Sequence, residues 1–238
     1  MFFFDPMYLL FLAPAIIFTI WAQNKVKGTY AKYSKVPSIA GMPGHRAAAS
    51  LLKSVGMPEV EIEPVPGKLT DHYDPSKKVL RLSEGVYNDS SLAALAIVAH
   101  EAGHAIQDQV RYPFLVMRTA LVPATNFGST FGYLLIMAGM MLVVFGAGGF
   151  ALQVAWAGVI LFALTLVFTI VTLPVEFNAS SRALSLLEAN GIVSPLEKEG
   201  ARKVLDAAAL TYVAAMATSL LTLLYFVFRL LALGGRRD

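Results

Sequence analysis

Four stretches of this chain are almost continuously apolar, at residues 7–22, 127–145, 150–173 and 212–233. Each approaches or exceeds the roughly 17 residues with which a helix crosses the hydrocarbon layer, so four transmembrane helices are predicted. Pro14 lies inside the first and Trp21 closes it, while Gly146-Ala147-Gly148-Gly149 separates the second from the third. Arg229 lies near the end of the fourth, which a long side chain tolerates by reaching toward the interface. The polar stretch between the first two spans changes period several times. Residues 44–55 read as a short amphipathic helix ended by Gly56 and Pro58. Val60-Glu61-Ile62-Glu63 alternates as a strand, Pro64 and Pro66-Gly67 mark a turn, and residues 68–73 and 77–83 read as two further strands joined at Asp74-Pro75-Ser76. Ser90 and Ser91 then offer an N-cap to the helix-forming run from Leu92 to Ala99. The fold class is therefore α+β and mainly α-helical: an integral membrane protein with a small sheet-plus-helix region. One membrane domain is expected to span residues 1–238, with membrane-proximal portions at 44–110 and 176–208.

Composition supports the membrane assignment. Of the 238 residues, 56% are hydrophobic and only 15% charged, and the mean hydropathy of +0.62 is too high for an ordinary soluble domain. The start of the chain does not read as a cleavable signal, because Met1 to Phe4 carry no basic residue and Asp5 is acidic. Lys25, Lys27, Lys32 and Lys35 instead follow the first span, so the positive-inside rule places that side in the cytosol. The glycine turn then falls outside and Arg182, Lys198, Arg202 and Lys203 inside; four crossings leave Arg236 and Arg237 outside, against the rule. The net charge of +3 is accounted for by basic loops beside anionic lipid, and no aromatic–basic motif points to nucleic acid. The absence of cysteine excludes disulfides and thiolate ligands.

The chemistry is concentrated in His100-Glu101-Ala102-Gly103-His104. Histidines at i and i+4 share one helical face and reach a single zinc ion, while the glutamate between them is placed to take a proton from the attacking water. Two histidines leave zinc one protein ligand short, and no third histidine follows in Gln107 to Arg111. Glu188, Glu197 and Glu199 lie in polar surroundings. Glu176 follows Leu173-Pro174-Val175 at the end of an apolar run, where a carboxylate needs a partner or a metal unless it reaches the interface. Ser180, one turn on, is placed to orient a ligand. For the oxyanion that peptide hydrolysis develops, Tyr212 and His72 are the first candidates by residue type, with Asn178 and Arg182 behind them. Gly128 and Gly132 form a G-x-x-x-G pair that permits close helix contact, and partnership with another membrane protein or a second copy stays open.

Asp71-His72-Tyr73-Asp74-Pro75, the His100 to Gln107 run, Leu173 to Ser180 and Thr211-Tyr212-Val213-Ala214 together resemble the YugP-type neutral zinc metallopeptidases, small bacterial membrane proteins, over nearly the whole chain. The resemblance implies a gluzincin arrangement, with one Zn2+ per chain held by His100, His104 and Glu176, and Glu101 as catalytic base. The chain is also similar to HtpX-type membrane proteases, but there an acidic residue follows the third ligand by one turn. Ser180 holds that place here, so that part of the HtpX arrangement does not transfer. The expected function is hydrolysis of proteins or peptides in or beside the bacterial cytoplasmic membrane, on its cytosolic side. A catalytically silent scaffold with structural zinc and a hydrolase of lipid-linked amides are the alternatives. Intact Glu101 weighs against the scaffold, because a structural site needs no base.

Overall fold

The computed structural model describes residues 6–235. In chain order the elements are α1 (Pro6–Tyr33), α2 (Gly44–Ser54), β1 (Glu61–Val65), β2 (His72–Asp74), β3 (Val79–Ser83), α3 (Glu84–Tyr87), α4 (Leu92–Gln109), α5 (Pro113–Val144), α6 (Gly148–Ala189) and α7 (Pro195–Gly234). Helices α1, α5, α6 and α7 are each long and apolar enough to cross a membrane. The described residues divide into two compact units, one of residues 6–21, 117–173 and 212–235, the other of 22–116 and 174–211. Arg236 and Arg237, on which the charge rule disagreed with four crossings, lie outside the described residues, as do Met1 to Asp5.

The first unit is a helical bundle. Leu12, Ile136, Met140, Val159, Tyr225, Phe226 and Leu230 form its core. Large apolar side chains such as Leu10, Ile17, Phe150 and Ile160 nonetheless stay on its outside, as expected of helices solvated by lipid rather than water. Glycine sets how closely α5 approaches α6. A Cβ at Gly132 would stand 2.7 Å from the Phe162 nitrogen, and one at Gly128 2.6 Å from the Leu161 carbonyl. The G-x-x-x-G pair is therefore spent inside the chain, on its own hairpin of helices.

The second unit packs α2, the sheet and α4 around Leu51, Leu52, Leu80, Leu82, Leu95 and Val98. The sheet has the order β1-β3-β2, with β1 parallel and β2 antiparallel to β3. Its strands are displaced from the predicted ones. Residues 68–71 are not extended, because Leu69 adopts a left-handed conformation (φ 56°), and Lys78 (φ 54°) turns the chain into β3 only at Val79. Helix α4 begins as expected, with the Ser91 side chain accepting a hydrogen bond from the Ala94 N–H. Its far end is closed by Arg111 (φ 49°), whose N–H reaches the Asp108 carbonyl while that of Tyr112 reaches Gln107.

Candidate metal centre

On α4, His100, Gly103, His104 and Gln107 recur at i, i+3, i+4 and i+7, which makes them one stripe of the helix. On α6, Glu176, Ala179, Ser180 and Ala183 repeat the same spacing. The two stripes face each other. A Cβ on Gly103 would lie 2.6 Å from the Ala179 carbonyl oxygen, so only glycine lets the helices approach this closely.

This approach brings three ligand atoms together. His100, His104 and Glu176 each offer one, all within 4.8 Å of one another. Glu176 Oε2 lies 3.2 Å from His100 Nε2 and 3.5 Å from His104 Nε2. The imidazole rings stand nearly perpendicular, at 86°, and do not stack. Glu176 is only 2% exposed. The other ring nitrogens are already engaged: His100 Nδ1 is 3.2 Å from Ser180 Oγ, and His104 Nδ1 is 3.0 Å from Gln107 Oε1. With each Nδ1 so held, both Nε2 atoms turn to the centre, an arrangement that suits a metal. Electrostatics agrees. Burial disfavours a charged His104, but its bond to Glu176 and the nearby Glu101 carboxylate outweigh this and raise its pKa. A pocket that holds a proton on imidazole against desolvation is a pocket that favours a cation.

The donor set, two neutral-capable imidazoles and one carboxylate, fits zinc, whose catalytic sites take three protein ligands. The chain matches the family model described as "putative neutral zinc metallopeptidase" over residues 8–231. It belongs to that family. The "Putative membrane protease YugP" of Bacillus subtilis (strain 168) is 45% identical over 233 residues, covering 98% of this chain and 100% of the relative. No solved structure matches the chain.

In this member of the zinc metallopeptidase family, Glu101 is nearly buried and its Oε2 accepts the Tyr73 backbone N–H at 3.0 Å. The segment from Asp71 to Pro75 is built around that bond. Asp71 accepts the Ser83 N–H at 2.7 Å, and Asp74 accepts Ser76, Lys77 and Arg81, so β2 is pinned at both ends. The Tyr73 hydroxyl donates to Asp108 at 2.9 Å and ties the strand to α4. Burial first, and the Asp108 carboxylate second, push that hydroxyl's pKa above its ordinary value, so it stays a donor.

The remaining predicted site residues are distributed unevenly. Ser180 sits against His100. Asn178 and Arg182 belong to a network behind His104. Gln107 Nε2 donates to the Val175 carbonyl at 2.8 Å and to Asn178 Oδ1 at 3.0 Å, and Arg182 Nε donates to the same Oδ1 at 2.7 Å. His72 is exposed on β2, its Nδ1 2.9 Å from the Thr70 carbonyl. Tyr212 lies on α7 and belongs to the helical-bundle unit. Sequence reasoning missed Gln107 and Gly103. The signal was present in both: each falls on the histidine face of α4, and Gln107 is a fully buried polar side chain, which must find partners.

Proposed function

We propose that this chain is a zinc-dependent endopeptidase of the bacterial cytoplasmic membrane that cuts membrane-embedded or membrane-proximal proteins on the cytosolic side. The observation that carries the reading is the convergence of His100, His104 and Glu176 with Glu101 beside the first histidine. These three residues would hold one zinc ion per chain. When bound, zinc polarises the scissile carbonyl and makes a water acidic near neutral pH.

The protein's own residues do the rest. Glu101 accepts the proton of the attacking water and returns it to the leaving amine. The Tyr73 N–H fixes the orientation of that carboxylate, and Ser180 and Gln107 fix the two imidazoles. Because β2 is an outer strand of the sheet and its Tyr73 amide is directed at Glu101, an extended peptide adding to the β2 edge lies next to the base. His72, exposed on the same strand as Tyr73, supplies the hydrogen bond to the developing oxyanion. The relative's description as a membrane protease, together with four membrane-length helices, supports substrates in or near the bilayer.

The test compares wild type, Glu101→Gln and Glu176→Ala as detergent-purified proteins, for zinc content and casein hydrolysis. Glu101→Gln is expected to keep its zinc and lose turnover, and Glu176→Ala to lose both. Wild-type zinc and activity in Glu176→Ala would remove that residue from the ligand set, and retained turnover in Glu101→Gln would remove the base. Orientation is checked with a labelled cysteine beside Ser90, where access from outside only would reverse the assignment.

A further inference from the structure

A cavity of about 330 Å³ lies between the C-terminal half of α1 and the N-terminal half of α7, within the second unit and formed by neither the histidines nor the sheet. Lys25, Lys32 and Lys203 line it, with Thr29, Tyr33 and a single acidic residue, Asp206. Three exposed lysines thus line it with one exposed carboxylate. The imbalance is not relieved along the helix, for α1 contains no acidic residue at all from Pro6 to Tyr33. Among the described residues, the ion pair these lysines make, Lys203 with Glu199 at 3.4 Å, is an exposed pair within a single helix. Such a pair is weak and readily exchanged for a stronger anion. Lys32 leans over the Tyr33 ring, 5.3 Å from its centre.

The rest of the lining is apolar, from the Tyr33 ring and the side chains of Ala207 and Leu210. A cationic cavity with apolar walls suits an amphipathic anion better than a free one. Its place along the chain agrees: Lys25 follows the apolar run 7–22 by about one helical turn, and Leu210 lies two residues before the run 212–233. The volume accommodates a phosphate together with the glycerol that carries it. We infer that this cavity binds the phosphate of an anionic phospholipid headgroup, with Lys25, Lys32 and Lys203 as its cationic contacts and the Thr29 and Tyr33 hydroxyls as donors. It is a lipid site separate from the metal centre.

The experiment measures thermal unfolding of the full-length detergent-purified protein during titration with dioleoylphosphatidylglycerol, dioleoylphosphatidylcholine or inorganic phosphate. The triple variant Lys25→Gln/Lys32→Gln/Lys203→Gln is compared with Lys53→Gln/Lys68→Gln/Lys77→Gln, which removes three exposed lysines outside the cavity. Phosphatidylglycerol is expected to raise the unfolding midpoint well beyond phosphatidylcholine, in the wild type and in the second variant alike. The cavity variant is expected to bind it more weakly by about fivefold per lysine, about 100-fold in all. An equal response to the two lipids, or an equal loss in the two variants, would overturn the site in favour of diffuse surface charge. A midpoint shift of the same size with inorganic phosphate would overturn the lipid assignment in favour of a free anion.

Discussion

Gly103 is the position at which the geometry of the metal centre can be perturbed without touching a ligand. In Gly103→Ala, the new methyl would stand 2.6 Å from the Ala179 carbonyl oxygen and 3.2 Å from its carbonyl carbon and Cα. The first distance is about 0.8 Å short of ordinary van der Waals contact, and the obstacle is backbone, which cannot rotate aside. Overpacking of this kind costs about 1–3 kcal/mol. Replacing a mid-helix glycine by alanine returns about 1 kcal/mol through helix propensity. The net loss of stability is therefore small, about 0–2 kcal/mol. The effect on the metal is larger, because α6 must move away while carrying both Glu176 and Ser180. Ligand distances tolerate only about 0.2 Å, and disturbing the groups that orient ligands weakens metal binding by about 10–100-fold.

Competition against a chromophoric zinc chelator gives the affinity, and thermal unfolding of the metal-stripped protein gives the stability. Gly158→Ala is the matched control. Its methyl would meet the Gly132 carbonyl oxygen and the Ile136 nitrogen at 2.6 Å inside the helical bundle, so it should lower stability and leave zinc affinity alone. A Gly103→Ala protein whose zinc affinity stays within threefold of wild type would refute the argument that this close approach builds the site.

Three further outcomes are expected. Gln107→Ala removes two buried donor bonds, to the Val175 carbonyl and to Asn178 Oδ1, and releases His104 Nδ1, so stability should fall by about 1–3 kcal/mol and zinc affinity by about 10–100-fold, read by unfolding and chelator competition on the same sample. Ser180→Ala removes the single bond to His100 Nδ1; zinc affinity should drop about tenfold with stability changed by less than about 1 kcal/mol, and an unchanged affinity would assign Ser180 a packing role only. Asp74 is held well below the usual carboxylate range by the Ser76 hydroxyl and the Arg81 guanidinium. Its contribution is thus present above its unfolded value near pH 4 and lost as pH falls toward the depressed folded one. Asp74→Asn should therefore destabilise the zinc-free protein at pH 7, and the difference from wild type should shrink in denaturation measured at pH 3.

The sequence alone determined the parts whose signal is local. Apolar runs long enough to cross a bilayer report their own identity, because no other environment solvates them. Histidines at i and i+4 share a face of any helix, so the motif was legible without a fold, and Ser91 capped α4 as its side-chain chemistry requires. Glu176 stood out because a carboxylate beside an apolar run needs a reason. The strands were less legible, since their ends depend on backbone conformations at Leu69 and Lys78 that residues of those types seldom adopt.

What tertiary structure decided is which polar groups meet across 70 to 80 residues of chain. Asn178 and Arg182 can bond to each other within α6, but only the packing of α6 on α4 brings the Gln107 amide to the same Asn178 Oδ1. The Tyr73 amide, invisible in a sequence because every residue has one, holds Glu101 only because β2 ends the sheet beside α4. Gly103 looks like a spacer within the motif until the Ala179 carbonyl is placed against it. A helix fixes which side chains share a face, but the partner of that face is set by long-range packing, where a single methyl group separates contact from clash.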